Sequence, residues 1–419
     1  MQQKMTKVTW SSSLGLPVSM ANTVSLRSAI SSHPSLGTRA AECEWSFLLA
    51  ASSLNTDAQG WERVRRLLDK VEWVALLRLA NDHGTSSLLY QNCLKLRDAV
   101  PPTVLAELRQ RHETNVHKCL FFSRELIRIL DCLEGLGVEA IPYKGVVLSE
   151  VYYGDMAMRQ SGDIDLLVRS RDVARIKESV LTLGYTPRVS IPDAAWPNYL
   201  ASGYECSFDG LGGQNFLELQ WALQPRFYAV DYDMDKLFQR AVNVTVADRD
   251  MKTLSPEDLL LVLSVHTAKH VWERLIWLCD IARIIKLKQL DWAAVQSRTR
   301  QYGIERILHI TLLLTNHFLA EPIPEPIESA VFADQNARIL ANEIAAAVRA
   351  GVFYEAEQVA YFRLMMRLRE RKADRVRFLT RLTFTPGPGE WHAIRLQKVL
   401  FPLYRVVRLA RLASRFARE

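Results

Sequence analysis

The sequence predicts an α+β protein with a short strand-bearing centre between two helical regions. Three observations predict it. From about residue 41 to 135, apolar residues recur at three- and four-residue spacing, the period of amphipathic helices. Between about 138 and 253, short strand-like runs alternate with helical ones. From residue 254 helical spacing returns and continues to about 350. At 419 residues the chain exceeds one ordinary core, so two or three packed subdomains are expected.

In chain order, residues 1–40 read as a disordered leader. They are rich in Ser and lack both a continuous apolar core and a small-residue cleavage site, so they are not a secretory signal. Met5 or Met20 is an alternative start. A helical region over 41–135 follows: WSFLLAASSL, then WERVRRLLDKVEWVALLRLANDHG, then a long segment from Pro101-Pro102 to a stop at Leu136-Gly137. Within 136–253 the expected elements are a strand over Val138 to Tyr143, a glycine turn, and a helix from Val146 to Tyr153. A strand over 163–168, a helix over 172–183 and strands over 204–208 and 215–220 complete it, the last two joined by the hairpin signal Gly210-Leu211-Gly212-Gly213. Ser255 as N-cap and Pro256 in the first turn announce a helical region over 254–350. Residues 351–419 read as a basic C-terminal helical tail.

Composition excludes several classes. With 49% hydrophobic and 24% charged residues, the balance is that of an ordinary globular protein. No run of eighteen apolar residues suggests a transmembrane helix. Six scattered cysteines without a Cys-x-x-Cys pair fit neither a zinc ribbon nor a disulfide framework, and they suit a reducing cytoplasm. The net charge of +7 is uneven: from Glu355 to Glu419 there are 15 Lys or Arg against 6 Asp or Glu, so the tail carries about +9 and the rest about −2.

The most informative stretch is GDIDLLV, Gly162 to Val168. On a strand, alternate side chains share a face, so Asp163 and Asp165 project together while Ile164 and Leu166 anchor the other side. Two close carboxylates repel unless a cation neutralises them, and hard oxygen donors favour Mg²⁺ or Mn²⁺. The plain alternative is a turn-capping pair in a solvated loop. Upstream, Tyr143-Lys144-Gly145 forms a strand-to-helix turn where a phosphate can meet free backbone N–H groups, and Lys144 and Arg159 can add positive charge. Here the alternatives are a solvated lysine and a surface salt bridge. Downstream, Glu218 faces away from Leu217 and Leu219 and supplies a third carboxylate.

A glycine turn, an Asp-x-Asp strand, a helix and a later strand acid resemble the nucleotidyltransferase superfamily that includes DNA polymerase β. The match is closer to its bacterial "uncharacterised nucleotidyltransferase" family, whose members look like LKG…R…GDIDLLV…GY…LHW…LSPEDLLL…H..KH.W…W..DI. This chain carries YKG (143–145), Arg159, GDIDLLV, Gly184-Tyr185, LQW (219–221), LSPEDLLL (254–261), HTAKHVW (266–272) and WLCDI (277–281) in that order, over roughly residues 40 to 410. It departs in two places. Lys144-Gly145 replaces the superfamily's Gly-Gly or Gly-Ser turn, at a longer distance from Asp163, and Gln220 stands where relatives usually have a histidine.

The resemblance implies a polymerase β-like core, a small mixed sheet with helices, between helical regions. It implies transfer of a nucleoside monophosphate from an NTP, expected to be ATP, to a hydroxyl of a small-molecule, peptide or protein acceptor with release of pyrophosphate. Asp163, Asp165 and Glu218 would hold Mg²⁺ or Mn²⁺, Glu218 serving a second metal or acting as base. Lys144, Gly145, Arg159 and Gly162 would hold the nucleotide. Gln220, His266, Lys269 and His270 would line the cleft, the last three sharing one helix face. The His-x-x-x-His spacing also fits zinc, but the glutamate of HExxH is missing. Asp280 is expected to pair with one of these side chains or with an arginine. The alternative function is a catalytically weak or inactive nucleotide-binding regulator, or an antitoxin-like interaction protein, of the same fold.

At the C-terminus, Arg405, Arg408, Arg411, Arg415 and Arg418 recur at steps of three or four. Such a helix can lie on an anionic bilayer at the inner face of the membrane, meet an acidic partner, or pack on the domain with a solvated arginine face. Basic residues without a recognisable binding module specify no nucleic acid.

Overall fold

The computed structural model describes residues 38–189, 191, 196–213, 215–352, 354, 358–385 and 403–416. Apart from its last three residues, the expected leader lies outside them. Five helices come first: α1 (Thr38–Ser52), α2 (Ala58–Arg65), α3 (Trp73–Asp82), α4 (Ser86–Lys95) and the 34-residue α5 (Pro102–Gly135). Their starts follow local chemistry. Asp57 accepts from the backbone N–H of Gly60 at 2.6 Å, the Glu72 carboxylate accepts from Val74 and Ala75, and Pro102 opens α5 where no N–H is needed. The expected stop of α5 is present: Gly137 takes φ +66°, and the N–H of Val138 folds back onto the Leu133 carbonyl at 2.9 Å.

A five-stranded sheet follows, made of β1 (Ala140–Pro142), β2 (Ile164–Val168), β3 (Thr186–Pro187), β4 (Glu205–Asp209) and β5 (Phe216–Gln220) in the order β1-β2-β5-β4-β3. Only β2 and β5 run parallel; the other pairs are antiparallel, and β4 and β5 form the expected hairpin. Between strands lie α6 (Gly145–Tyr153), α7 (Val173–Thr182) and α8 (Trp196–Ser202). The strand expected over 138–143 is shorter, and the other expected strands and helices of the centre shift by a residue or so at their ends. Not expected were β3, α8, α9 (Met234–Gln239) and, after it, a separate hairpin of β6 (Val242–Val246) with β7 (Arg249–Thr253).

The two faces of the sheet differ. Ile164, Leu166, Val168, Phe208, Leu217 and Leu219 pack in one apolar cluster with Phe122, Leu126 and Ile129 of α5 and Val173, Ile176 and Val180 of α7. The alternate positions, Asp165, Leu167, Glu218 and Gln220, belong to the opposite face, where Leu167 joins a second and larger core.

That second core unites the first helices with those after residue 254: α10 (Pro256–Lys269), α11 (Leu275–Leu287), α12 (Trp292–Tyr302), α13 (Glu305–Leu319), α14 (Glu325–Ala333), α15 (Gln335–Arg349), α16 (Val359–Arg367) and α17 (Lys372–Phe384), with α18 (Tyr404–Phe416) lying against α17. Polar contacts fix the join. Leu275 N–H donates to His83 Nδ1 at 3.2 Å, and Trp45 lies against both His83 and Phe318. Burial drives the His83 pKa down to about 4, with Arg274 adding to the shift, so the ring is neutral and its nitrogen is free to accept. Ser255 caps α10 as expected, accepting from Asp258 N–H, while the Asp258 carboxylate binds Arg240 at 2.7 Å and Arg298 at 3.0 Å. No described helix is long and apolar enough to cross a membrane.

The expected arginine stripe is not a single outward face where it is described. Arg405 is exposed, but Arg408 turns inward, donating from Nε to the Leu382 carbonyl at 3.0 Å. The side chains of Arg415 and Arg418 lie outside the described residues.

Candidate metal centre

Strand register builds the centre. In the parallel ladder Asp165 on β2 is the direct partner of Glu218 on β5, so both project from one face at neighbouring positions. Asp163, two residues earlier, shares that face. Ligand atoms of Asp163, Asp165 and Glu218 lie within 4.8 Å of one another, a group that could hold a metal ion. Asp165 is buried and the other two are half-buried.

This crowding has an electrostatic cost. Repulsion from Asp165, reinforced by burial, raises the pKa of Asp163 from 3.8 to about 6. Burial, followed by repulsion from Glu205, Asp165 and Asp163, raises Glu218 from 4.5 to about 8. Two groups answer the charge. Lys144 Nζ lies 3.3 Å from Asp165 Oδ1; burial disfavours its ammonium form, but Asp165, Asp163 and Glu218 outweigh burial and hold its pKa above the usual lysine value. The Gln220 carboxamide donates from Nε2 to Asp165 Oδ1 and to Glu218 Oε2, each at 3.1 Å. The other oxygen, Asp165 Oδ2, is buried and has no hydrogen-bond partner among the described residues. A buried carboxylate oxygen in that state is well suited to a cation, and an all-carboxylate donor set suits Mg²⁺ or Mn²⁺ better than zinc.

The Tyr143-Lys144-Gly145 turn lies against the start of β2. Gly145 has φ +58°, and a Cβ there would sit 3.3 Å from the Asp163 carbonyl oxygen. Glycine therefore lets the first turn of α6 meet the acid cluster at close range. Gly162 differs: its φ is ordinary and a Cβ there would have no neighbour within 4 Å, so a side chain would enter open space.

Arg159 is engaged elsewhere. Its Nε donates to both oxygens of buried Asp280 at 3.0 Å, its Nη1 reaches the Gln160 carbonyl at 3.4 Å, and Tyr153 Oη donates to the same Asp280 at 2.6 Å. The expected pairing of Asp280 with an arginine is thus present. It ties the loop before β2 to α11, while the charge of Arg159 still reaches Asp163.

The helix face expected to line the cleft comes from α10. His266, His270 and Trp277 of α11 form a cluster of three rings with centroids 4.9 to 5.4 Å apart. Burial and then the charge of Lys144 hold His266 well below the usual histidine pKa, so it is neutral. Lys269 Nζ lies 5.8 Å above the Tyr204 ring; burial lowers its pKa, against the opposing pull of Glu205.

Two residues of this face carried no assignment from the sequence. Glu205 on β4 is the ladder partner of Gln220, and burial raises its pKa as well, making it a fourth acid at the centre. Tyr143, fully buried, donates from its hydroxyl to Gln220 Oε1 at 2.6 Å. Counting back from the glycine turn, which pairs Asp209 with Phe216, places Glu205 opposite Gln220 and would have found the first of them.

No curated protein and no solved structure matches the chain significantly. A protein-family model does, over residues 69–320, more than half of the chain. It spans the glycine turn, the three acids and the α10–α11 face, and on that match the chain belongs to the family described as uncharacterised nucleotidyltransferases.

Proposed function

We propose that the protein transfers a nucleoside monophosphate from an NTP, with ATP the first choice, to a hydroxyl of a small-molecule, peptide or protein acceptor, on a polymerase β-like core. The observation that carries this reading is the cluster of three carboxylates within 4.8 Å, one of them with a buried unpartnered oxygen, beside the glycine turn that starts α6. Residues 136–253 then supply the catalytic sheet, and 254–350 close the cleft.

In this reading Asp163, Asp165 and Glu218 hold Mg²⁺ or Mn²⁺, which when bound neutralises the triphosphate and stabilises the entering and leaving oxygens. The N-terminus of α6 and Lys144 orient the phosphates, since free helix N–H groups and a cation both favour an anion there. The acceptor oxygen attacks the α-phosphorus, the bond to the bridging oxygen of the β-phosphate breaks, and pyrophosphate leaves with that electron pair. The acceptor's proton passes to water; taking it is the alternative role for Glu218 where it holds no metal, a role suited to a carboxylate whose burial strengthens it as a base. Arg159 lends positive charge to the nucleotide site while its Nε and Nη1 tie it to Asp280 and the Gln160 carbonyl. His266, Lys269 and His270 face the acceptor.

The test is labelled NTP with Mg²⁺ and cell extract, comparing wild type with Asp163→Asn/Asp165→Asn. Label appearing on a discrete acceptor with wild type alone supports the transferase. Metal-dependent NTP binding without label transfer, across all four NTPs and several extracts, overturns it in favour of a nucleotide-binding regulator.

A further inference from the structure

Gln220 occupies the middle of the acid cluster, and its hydrogen bonds use the amide in one orientation only. Both Nε2 hydrogens are spent, one on Asp165 Oδ1 and one on Glu218 Oε2, each at 3.1 Å. The amide oxygen accepts from Tyr143 Oη at 2.6 Å. Turning the amide over would aim its oxygen at two carboxylate oxygens, so the orientation is dictated by the partners. Gln220 and Tyr143 are both buried, which leaves no solvent to compensate a lost bond.

The consequence lies in which oxygens remain. Asp165 Oδ1 already accepts from Gln220 and Lys144, whereas Oδ2 is buried with no partner. On Glu218, Oε2 accepts from Gln220, which leaves Oε1.

We propose that Gln220, held by Tyr143, is a positioning residue that occupies one oxygen of Asp165 and one of Glu218 and so presents Asp165 Oδ2 and Glu218 Oε1 to a divalent cation. This deepens the metal-dependent reading given above and rests on it. Its neutral donor group also holds two acids side by side without adding charge that would oppose the cation. Partners that orient metal ligands are typically worth about 10- to 100-fold in metal affinity.

The test uses the full-length protein and Mn²⁺ alone, with binding followed by electron paramagnetic resonance and folding checked by thermal melting. Gln220→Met keeps the side chain's length and apolar volume but removes the donor. It is expected to weaken Mn²⁺ binding about 10- to 100-fold and to broaden the bound-ion spectrum. Tyr143→Phe, which frees the amide to rotate, is expected to weaken binding in the same direction by less. Variants that melt earlier yet bind Mn²⁺ as wild type does would show a purely structural role and overturn the proposal. Tighter binding would overturn it too, since Gln220 would then be a plug competing with the ion. Wild type that binds no Mn²⁺, or Asp163→Asn/Asp165→Asn that binds as well as wild type, would instead sink the metal reading itself.

Discussion

Asp165 and Glu218 are direct partners across a parallel ladder, the one place in the sheet where two strands run the same way. Side chains so paired point the same way at every register position, so the acids cannot separate without breaking β2 from β5. Held together and buried, they give the metal-free protein a definite response to pH. Glu218 is raised from 4.5 to about 8 and Asp163 from 3.8 to about 6, so the folded state binds these protons more tightly than the unfolded chain does. Their contribution to stability is then full below about pH 4 and is lost as pH rises toward 8. In EDTA the melting temperature is expected to decline over pH 5–8, and Glu218→Gln to flatten that decline. At pH 8 the variant should be more stable than wild type by on the order of 2 kcal/mol. Mg²⁺ should raise the wild-type melting temperature and leave the variant's nearly unchanged. Parallel pH curves for the two proteins in EDTA would contradict this.

Gly145 and Gly162 flank the same junction but carry opposite expectations. At Gly145 an alanine meets both a positive φ of +58° and a carbonyl oxygen at 3.3 Å, so Gly145→Ala should cost about 1–3 kcal/mol. Gly162→Ala has neither penalty and should melt within about 0.5 kcal/mol of wild type. If the space beyond Gly162 receives nucleotide, Gly162→Ala should still raise the KM for NTP. Chemical denaturation separates the two effects from turnover.

The strength of local signals decided how far the sequence could be read. Ile164 and Leu166 bracket Asp165, and Leu217 and Leu219 bracket Glu218, so β2 and β5 and the outward side of each acid were legible. Ser255-Pro256 marked α10 for the same reason: capping chemistry is local. The β6–β7 hairpin was not legible. Its turn is Ala247-Asp248, both at positive φ (48° and 60°), where Asn-Gly would have announced it. Part of the compensation comes from Glu150, far away in sequence, whose carboxylate accepts from Ala247 N–H at 3.2 Å. The pairing of Asp280 with an arginine was expected, but which arginine was hidden: Arg159 lies 121 residues away, and nothing in either local sequence names it.

That tether makes its own prediction. Asp280 is buried and depends on Arg159 and Tyr153 for its hydrogen bonds, and burial raises its pKa despite the arginine. Arg159→Met strands a carboxylate in the interior and should destabilise by about 3–5 kcal/mol, whereas Arg159→Met/Asp280→Leu should recover most of the loss. Recovery in urea denaturation without recovery of NTP affinity would locate the field of Arg159 in nucleotide binding. Failure of the double variant to recover stability would show that the pair does more than neutralise itself.

Lys144 and Gln220 both touch Asp165 Oδ1, at 3.3 and 3.1 Å, yet removing them should move cation affinity in opposite directions. Gln220 is neutral and orients ligands. Lys144 carries a full charge whose field opposes any cation arriving at the same acids. At an effective dielectric near 20, two like charges some 5 Å apart repel by about 3 kcal/mol before screening. Lys144→Met should therefore bind Mn²⁺ alone at least about threefold tighter than wild type. For NTP the sign reverses, because the triphosphate brings its own negative charge and loses a cation that would face it. With Mn²⁺ saturating, Lys144→Met should raise the Kd for NTP about tenfold or more. Lys144→Arg should restore the charge without restoring full affinity, since a planar fork cannot occupy the buried position of a compact ammonium. Titrating Mn²⁺ and then NTP into wild type and the two variants checks all of this in one series. If both affinities fell together in Lys144→Met, the lysine would be a prop for the fold, and the assignment of the Lys144-Gly145 turn to the triphosphate would fail with it.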